Sequence, residues 1–577
     1  MSIRIERRPV PEVGVIDPSL SPLLQRIYAS RQINSSQQLQ RQTNHLAKPQ
    51  QLKGLDQAIA LLVDALDKRQ KLLIVGDFDA DGATSSALCV LALRAMGSAD
   101  VDFLVPNRFD YGYGLSPEIA NLAHQQGAEL IITVDNGISS IAGVEAAKAL
   151  GMRVLVTDHH LPGDELPAAD AIVNPNQPGC GFPSKAMAGV GVAFYLLSAL
   201  RTTLRQNDWF NKRQIAEPNL ADWLDIVALG TVADVVPLDH NNRILVHQGL
   251  QRIRSGRCRP GIQALVDVSQ RNQRQMTATD LGFALGPRLN AAGRLDDMAL
   301  GINCLLCDDP YRAKEMAEEL DTLNRSRREI EQGMEQEALK SLESLELAEN
   351  QMPMGLCLFQ PDWHQGVIGI LASRIKERYY RPVLAFADAG DGELKGSARS
   401  IPGLHMRDLL DLIDTRHPGL IIKFGGHAMA AGLSIQRGAY ELFKQAFESA
   451  IAEQLSEDDL SNVILSDGAL GLHELTLDTA YQLREAGPWG QAFPEPMFDG
   501  EFWLLQQRIV GGKHLKMVLS PDNGQTAIDA IAFNVDTSVW PDPGVRKVLV
   551  AYQLDVNEFR GNISLQLRVQ HLSPIYG

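Results

Sequence analysis

The sequence predicts a multidomain α/β protein: a parallel-sheet domain, a long connecting helix, a smaller α/β domain and a terminal β-barrel. Three patterns point there. Between about residues 51 and 240 the short apolar runs KLLIVG, VDFLVP, ELIITV and RVLVT alternate with helical stretches, the rhythm of a parallel sheet covered on both faces. Residues 310–349 set Met316, Leu320, Leu323, Ile330 and Met334 among charges with no Pro and only Gly333, as one long amphipathic helix does. After about residue 456 the strand-like runs EFWLLQQRIV, HLKMVLS, AIDAIAF, KVLVAYQLDV and ISLQLRVQHL, broken by turns, suggest a small closed barrel.

Taken in order, residues 1–50 are a polar, Gln-rich extension expected to pack on the next domain. Residues 51–305 form the first α/β domain, with helices expected over Ala83–Met96, Pro117–Gln126 and Ile141–Leu150. Residues 306–350 hold the connecting helix, 351–455 the second α/β domain and 456–577 the barrel, for which the OB type is the leading option. A hydrophobic content of 45% supports well-formed cores, and the net charge of −16 argues against a protein coated in DNA-binding charge. A local basic groove inside an acidic exterior stays compatible with that charge. Cys304 and Cys307 form a CxxC in an apolar context with no second pair, so buried thiols are expected. No signal-peptide run and no membrane-spanning stretch stands out, so a cytoplasmic protein without membrane attachment is expected.

The chemistry concentrates in KLLIVGDFDADG, residues 71–82. A short strand, Leu72–Gly76, runs straight into Asp77, Asp79 and Asp81. Carboxylates this close repel one another unless a cation offsets them, and a hard divalent metal suits oxygen ligands. The alternative is a solvated acidic turn. Asp135 follows in IITVDNG, then Asp158, His159 and His160 in VLVTDHH, then Asp225 and Asp234 in DIVALGTVADVVPL. Three of these groups come directly after strands of one presumed parallel sheet, so their side chains converge at its carboxyl edge. Any single Asp could instead be a helix cap or a turn. Jointly, Asp with His suits a two-metal site better than structural zinc, and two ions can activate water and stabilise the leaving oxygen of a phosphodiester.

Other segments look built to hold a substrate. NRFDYGYG, residues 107–114, interleaves Arg108 with Phe109, Tyr111 and Tyr113, which fits stacked bases beside a phosphate or, alternatively, rings packed inward. GPRLNAAGR, residues 286–294, offers Arg288, Asn290 and Arg294, either to substrate or to carboxylates at a domain seam. The second α/β domain has Ser373 and Arg374, then Lys395, Ser397 and Arg399 in KGSARS, then Gly425, Gly426 and His427 in FGGHAMAAGLS. Glycines admit close approach of an anion, and Lys, Arg and Ser hold phosphate oxygens. On the barrel, Trp503, Arg508, Lys513, His514, Lys516, Phe533, Tyr552, Phe559 and Arg560 lie on or near strands. Core packing accounts for most of these aromatics singly, and strand binding suits the barrel as a whole.

DFDADG, VDNG, TDHH and Asp234, in that order, resemble the motifs of the DHH phosphoesterase superfamily, which includes single-strand nucleases, oligonucleotide phosphodiesterases and family II inorganic pyrophosphatases. The resemblance implies two Mn²⁺ or Mg²⁺ ions held by Asp79, Asp81, Asp135, His159 and Asp234, with Asp77 ranked below them. It implies that His160 contacts or polarises the scissile phosphate. The pyrophosphatases carry a His four residues before the first ligating Asp; Val75 stands there in this chain. The stretch around His427 resembles the DHHA1 substrate-binding domain, and GPRLNAAGR, residues 487–498 and the barrel are similar to the single-strand exonuclease branch. That branch implies a processive, single-strand-specific 5′→3′ DNA exonuclease releasing 5′-mononucleotides in recombination and repair. Its implied partners are single-stranded DNA, single-strand-binding protein, a RecQ-type helicase and recombination factors, with the chain expected as a monomer. A gap between the α/β domains too narrow for a duplex would explain the strand preference. The domain count opposes a phosphodiesterase of very short or cyclic dinucleotides, and the intact Asp and His motifs oppose a non-catalytic scaffold.

Overall fold

A computed structural model describes residues 3–12, 14–106, 114–349, 352–559 and 561–576. The chain forms two compact units. One comprises Arg7–Asn324 and Ser466–Gly577, the other Met1–Glu6 and Arg325–Leu465.

The first unit is built on a 5-stranded parallel sheet ordered Val101–Leu104, Leu72–Gly76, Leu130–Val134, Arg153–Thr157, Ala171–Val173. The four apolar runs of the sequence are four of these strands. The fifth, Ala171–Val173, is too short to carry a pattern of its own. Every residue of the two central strands is buried, as in sheets covered on both faces. The two-residue alternation sends Leu72 and Ile74 into one core and Leu73 and Val75 into another. Val75 is thereby committed to packing. The helix Ala80–Ala95 starts earlier than its apolar pattern suggests, because Asp79 caps it.

The barrel belongs to the same unit and is closed in the strand order Phe498–Val510, His514–Ser520, Ile528–Ala532, Asn562–Ile575, Lys547–Phe559. Tyr552 is buried against Phe498 and Phe502, a core residue, whereas Trp503 and Phe533 are exposed. The side chain of Phe559, and Arg560, lie outside the described residues. The N-terminal extension does more than pack on the next domain. Tyr28 donates to the Ala486 carbonyl at 2.8 Å and stacks near Trp489, and buried Arg31 pairs with Asp467 at 2.7 Å. Arg243 of the sheet domain donates to the Gln38 carbonyl and lies over the Phe493 ring. The extension is thus a seam between sheet domain and barrel. Of the two thiols expected to be buried, Cys304 is, and its pKa is pushed up to about 12 by that burial, whereas Cys307 is only half-buried.

The 40-residue helix Pro310–Glu349 starts in the first unit and ends in the second. The second unit carries a 5-stranded mixed sheet ordered Lys423–Gly426, Ala430–Gln436, Glu393–Arg399, Val383–Gly390, Leu356–Phe359. Along Glu393–Arg399, Leu394 and Ala398 enter the core while Lys395, Ser397 and Arg399 take the opposite face. Among the described residues no helix is long and apolar enough to cross a membrane.

Candidate metal centre and anion site

The carboxyl ends of Leu72–Gly76, Leu130–Val134 and Arg153–Thr157 deliver Asp77, Asp135 and the Asp158–His160 run to one edge of the parallel sheet. Asp79 caps the next helix, accepting from the N–H groups of Asp81 at 2.9 Å and Gly82 at 3.0 Å. Asp234 arrives from elsewhere, at the C-terminal end of the buried helix Leu224–Ala233. Possible ligand atoms of Asp81, His159 and Asp234 lie within 4.8 Å of one another; so do those of Asp77, Asp79 and Asp135, and those of Asp135, His159 and His160. Asp135 is common to two of these groups and stands 3.0 Å from His159 Nε2. Asp77, ranked last from sequence, is buried within the cluster.

The electrostatics call for a cation. Burial, then the charge of Asp79, pushes Asp81 up to about 7. Burial and the surrounding carboxylates hold Asp135 and Asp234 well above the ordinary range. Among the described residues the buried Asp234 Oδ2 accepts no hydrogen bond, although His159 Nε2 is 3.4 Å away. Five carboxylates and two imidazoles with an unmet oxygen form a hard donor set that fits Mn²⁺ or Mg²⁺. The backbone meets part of the charge. The N–H groups of Gly189 at 2.6 Å and Val190 at 2.9 Å, opening the helix Gly189–Gln206, donate to the two oxygens of Asp81.

Two residues of this centre have roles that the sequence reading does not assign. Asp158, fully buried, accepts from His160 Nδ1 at 2.8 Å and from the backbone N–H groups of Ile138, His159 and His160. Burial pushes Asp158 up, but the His160 bond and these contacts hold it below its ordinary value. In turn the same bond raises His160 against the opposing effect of its own burial. Asp158 therefore orients the His160 ring. Its signal was its place in TDHH. Gly189 is the second, since a Cβ there would stand 2.7 Å from Asp135 Cβ. Its signal was the GVG opening of a helix. Asp225 is unrelated to the centre: it is buried at the start of its helix, takes the Arg259 N–H at 2.6 Å, and is pushed up to about 6 by burial.

GPRLNAAGR lies beside the metal loop, but not as expected. Arg288 is buried and its guanidinium pairs with Asp321 at 2.8 Å, so the carboxylate reading replaces substrate contact. Asn290 Oδ1 accepts from the Ala80 N–H at 2.8 Å and steadies the loop after Asp79. Arg294, on the last turn of the helix, is half-buried. Arg108 and Tyr113 lie outside the described residues.

The second unit gathers a separate polar cluster. Arg399 Nε donates to Ser373 Oγ at 3.1 Å, and its Nη1 donates to Ser397 Oγ at 3.1 Å. Among the described residues no carboxylate pairs with Arg399, and burial alone lowers its pKa. A Cβ on Gly369 would meet Arg399 Nη2 at 2.9 Å, so glycine makes room for the guanidinium at a helix start. Lys395 shares this sheet face. Across the strands, Ser397 aligns with Gly432 and Gly432 with Gly425, so two glycines leave that face bare beside the serine. Gly426 and His427 close this edge hairpin, with the His427 N–H on the Ala430 carbonyl at 2.8 Å. Arg374 departs from expectation: Glu331 takes its Nε at 2.9 Å and Glu377 lies 3.7 Å from its Nη1, so its charge is already claimed.

A parallel-sheet edge whose Asp and His groups could hold metal ions, with a second α/β domain carrying a polar Arg–Ser cluster, is the arrangement of a DHH phosphoesterase. The model of the DHH family N-terminal domain matches residues 71–231, that of the DHHA1 domain 352–453 and that of the RecJ OB domain 466–571. The single-stranded-DNA-specific exonuclease RecJ of Escherichia coli (strain K12) is 59% identical over 99% of both chains. The crystal structure of RecJ in complex with Mn²⁺ from Thermus thermophilus superposes with a TM-score of 0.77 at 28% identity, covering 100% of this chain and 80% of that one. Its counterpart in complex with Mg²⁺ gives 0.73 at 26% identity, covering 100% and 78%. The chain belongs to the RecJ family.

Proposed function

We propose that this chain is a single-strand-specific 5′→3′ DNA exonuclease that releases 5′-mononucleotides by metal-dependent phosphodiester hydrolysis, in recombination and repair. The observation that carries the reading is the set of three overlapping ligand groups at one sheet edge, in a chain of this family. Its cofactors are divalent ions, Mn²⁺ or Mg²⁺, held by Asp77, Asp79, Asp81, Asp135, His159 and Asp234. Such ions, when bound, activate water and neutralise charge at the phosphate. The rest is supplied by the chain. The helix opened by Gly189 fixes both oxygens of Asp81, and Asp79 is fixed by the helix it caps. Asp158 presents His160 to the phosphate with its ring held. Arg399, Ser373, Ser397 and Lys395 hold the phosphates or the 5′ end of the strand, with the bare face at Gly425 and Gly432 admitting the backbone. Arg294, Arg108 and Tyr113 belong to the same substrate reading. Single-strand-binding protein, a RecQ-type helicase and recombination factors are proposed partners of a cytoplasmic, monomeric enzyme.

Digestion of end-labelled single- and double-stranded DNA with Mn²⁺, Mg²⁺ or chelator tests the proposal. Mononucleotides should leave the 5′ end of single strands only, and chelator should stop the reaction. Arg399→Ala should raise KM on 5′-phosphorylated single strands by about 10-fold or more with little change in kcat, as loss of a charge-assisted contact predicts. An unchanged KM would remove the anion cluster from the substrate site, and chelator-resistant cleavage would remove the metals.

A further inference from the structure

Hydrolysis leaves unexplained three exposed apolar side chains, two of them next in sequence to metal-centre residues and one on a turn packed against the Asp234 helix. Leu161 is 64% exposed, Val235 63% and Phe283 76%. Leu161 directly follows His160, and Val235 directly follows Asp234. Phe283 rides on a single π-helical turn, Leu281–Leu285, a distortion that often marks functional sites. That turn is seated on the end of the Asp234 helix. A Cβ on Gly282 would lie 3.2 Å from Val232 Cγ1, and one on Gly286 3.0 Å from Ala233 Cβ. Phe283 also lines a cavity of about 600 Å³ that reaches the barrel at Glu558.

Val235 is the telling residue. Its φ of +60° is left-handed, at a position just past a helix end that Gly or Asn ordinarily fills. A β-branched residue is an outlier there, and an exposed one regains nothing from burial. A strained, exposed hydrocarbon next to a metal-binding carboxylate does not serve folding; such strain collects where a ligand is gripped. The three side chains have no hydrogen-bonding groups, so they cannot read the donor and acceptor pattern of base edges. Base faces are apolar and alike from one nucleotide to the next, which is what a sequence-tolerant exonuclease must hold.

We infer that Leu161, Val235 and Phe283 form an apolar lip that grips the faces of the bases flanking the scissile phosphate. The lip rests on the exonuclease reading and adds to it how successive nucleotides are held without regard to sequence. Two 5′-phosphorylated single strands test it, one with ordinary bases and one with tetrahydrofuran abasic residues at its first three positions, both with Mn²⁺. The parent should show a KM about 10-fold lower for the strand with bases, on the scale of one lost stacking contact. Val235→Gly, Val235→Asn and Phe283→Ala should each erase most of that preference, raising KM for the base-bearing strand and leaving KM for the abasic strand and kcat unchanged. Val235→Gly should melt at or above the parental temperature, since left-handed strain is relieved. Equal parental KM values for the two strands, or variants that slow both strands alike, would overturn the lip. If the parent cleaves neither strand, the exonuclease reading beneath it fails instead.

Discussion

Asp135→Asn should reduce kcat on single-stranded DNA by at least about 10³-fold, as for loss of a residue on which a whole catalytic unit depends. Asp135 contributes to two of the three candidate ligand groups, so its loss damages both. The amide keeps the shape of the carboxylate and, like Asp, tolerates the φ of +60° at this position. In chelator the variant should melt at the parental temperature or higher, because a neutral group relieves repulsion among buried carboxylates. Mn²⁺ at 100 times its dissociation constant stabilises a folded protein by about 2.7 kcal/mol, and that gain should appear in the parent and shrink in the variant. Thermal melts with and without Mn²⁺, beside a nuclease assay, check both halves. Near-parental hydrolysis by the pure variant would remove Asp135 from the metal set.

Gly189→Ala should be nearly as damaging, although it adds only a methyl group far from Asp135 in sequence. The new Cβ would stand 2.7 Å from Asp135 Cβ and 2.9 Å from its Cα, distances that force one of them to move. If the helix start moves, its N–H groups withdraw from Asp81; if Asp135 moves, a ligand leaves its place. A displacement on the order of 1 Å costs about 100-fold in rate. Loss of supporting contacts weakens metal affinity by about 10–100-fold. Activity measured against Mn²⁺ concentration should therefore show both a lower plateau and a midpoint shifted to higher metal. Gly438→Ala, where the added Cβ has nothing within 4 Å, is the control expected to behave as the parent. A parental Mn²⁺ curve for Gly189→Ala would show that the helix start does not support the centre.

Much of this centre is legible one residue at a time. Asp77, Asp79 and Asp81 sit together in sequence, and Asp135 and His159 follow buried strands, so the parallel sheet alone brings them to one edge. The polar residues that sequence placed less well are those whose partners are distant. Arg288 meets Asp321 from 33 residues away, and Arg374 meets Glu331 from 43 residues away, both partners lying on the long helix. Either arginine is as good a phosphate ligand as Arg399 until its carboxylate is seen. Tyr28 reaches the Ala486 carbonyl across 458 residues, so the seam role of the N-terminal extension has no local pattern to announce it.

By itself, then, the sequence determined what short-range rules control: the apolar strands with their period of two, the long amphipathic helix, the β-rich end and the carboxylates at strand ends. Tertiary structure alone decided which charges are spent on internal partners and which stay available. It made Asp158 the residue that sets His160, required glycine at 189, and left Val235 strained and exposed beside Asp234. The physical reason is range. Strand and helix patterns come from neighbours along the chain, whereas the charge balance of a buried group and the room around a Cβ depend on whatever the fold packs against it.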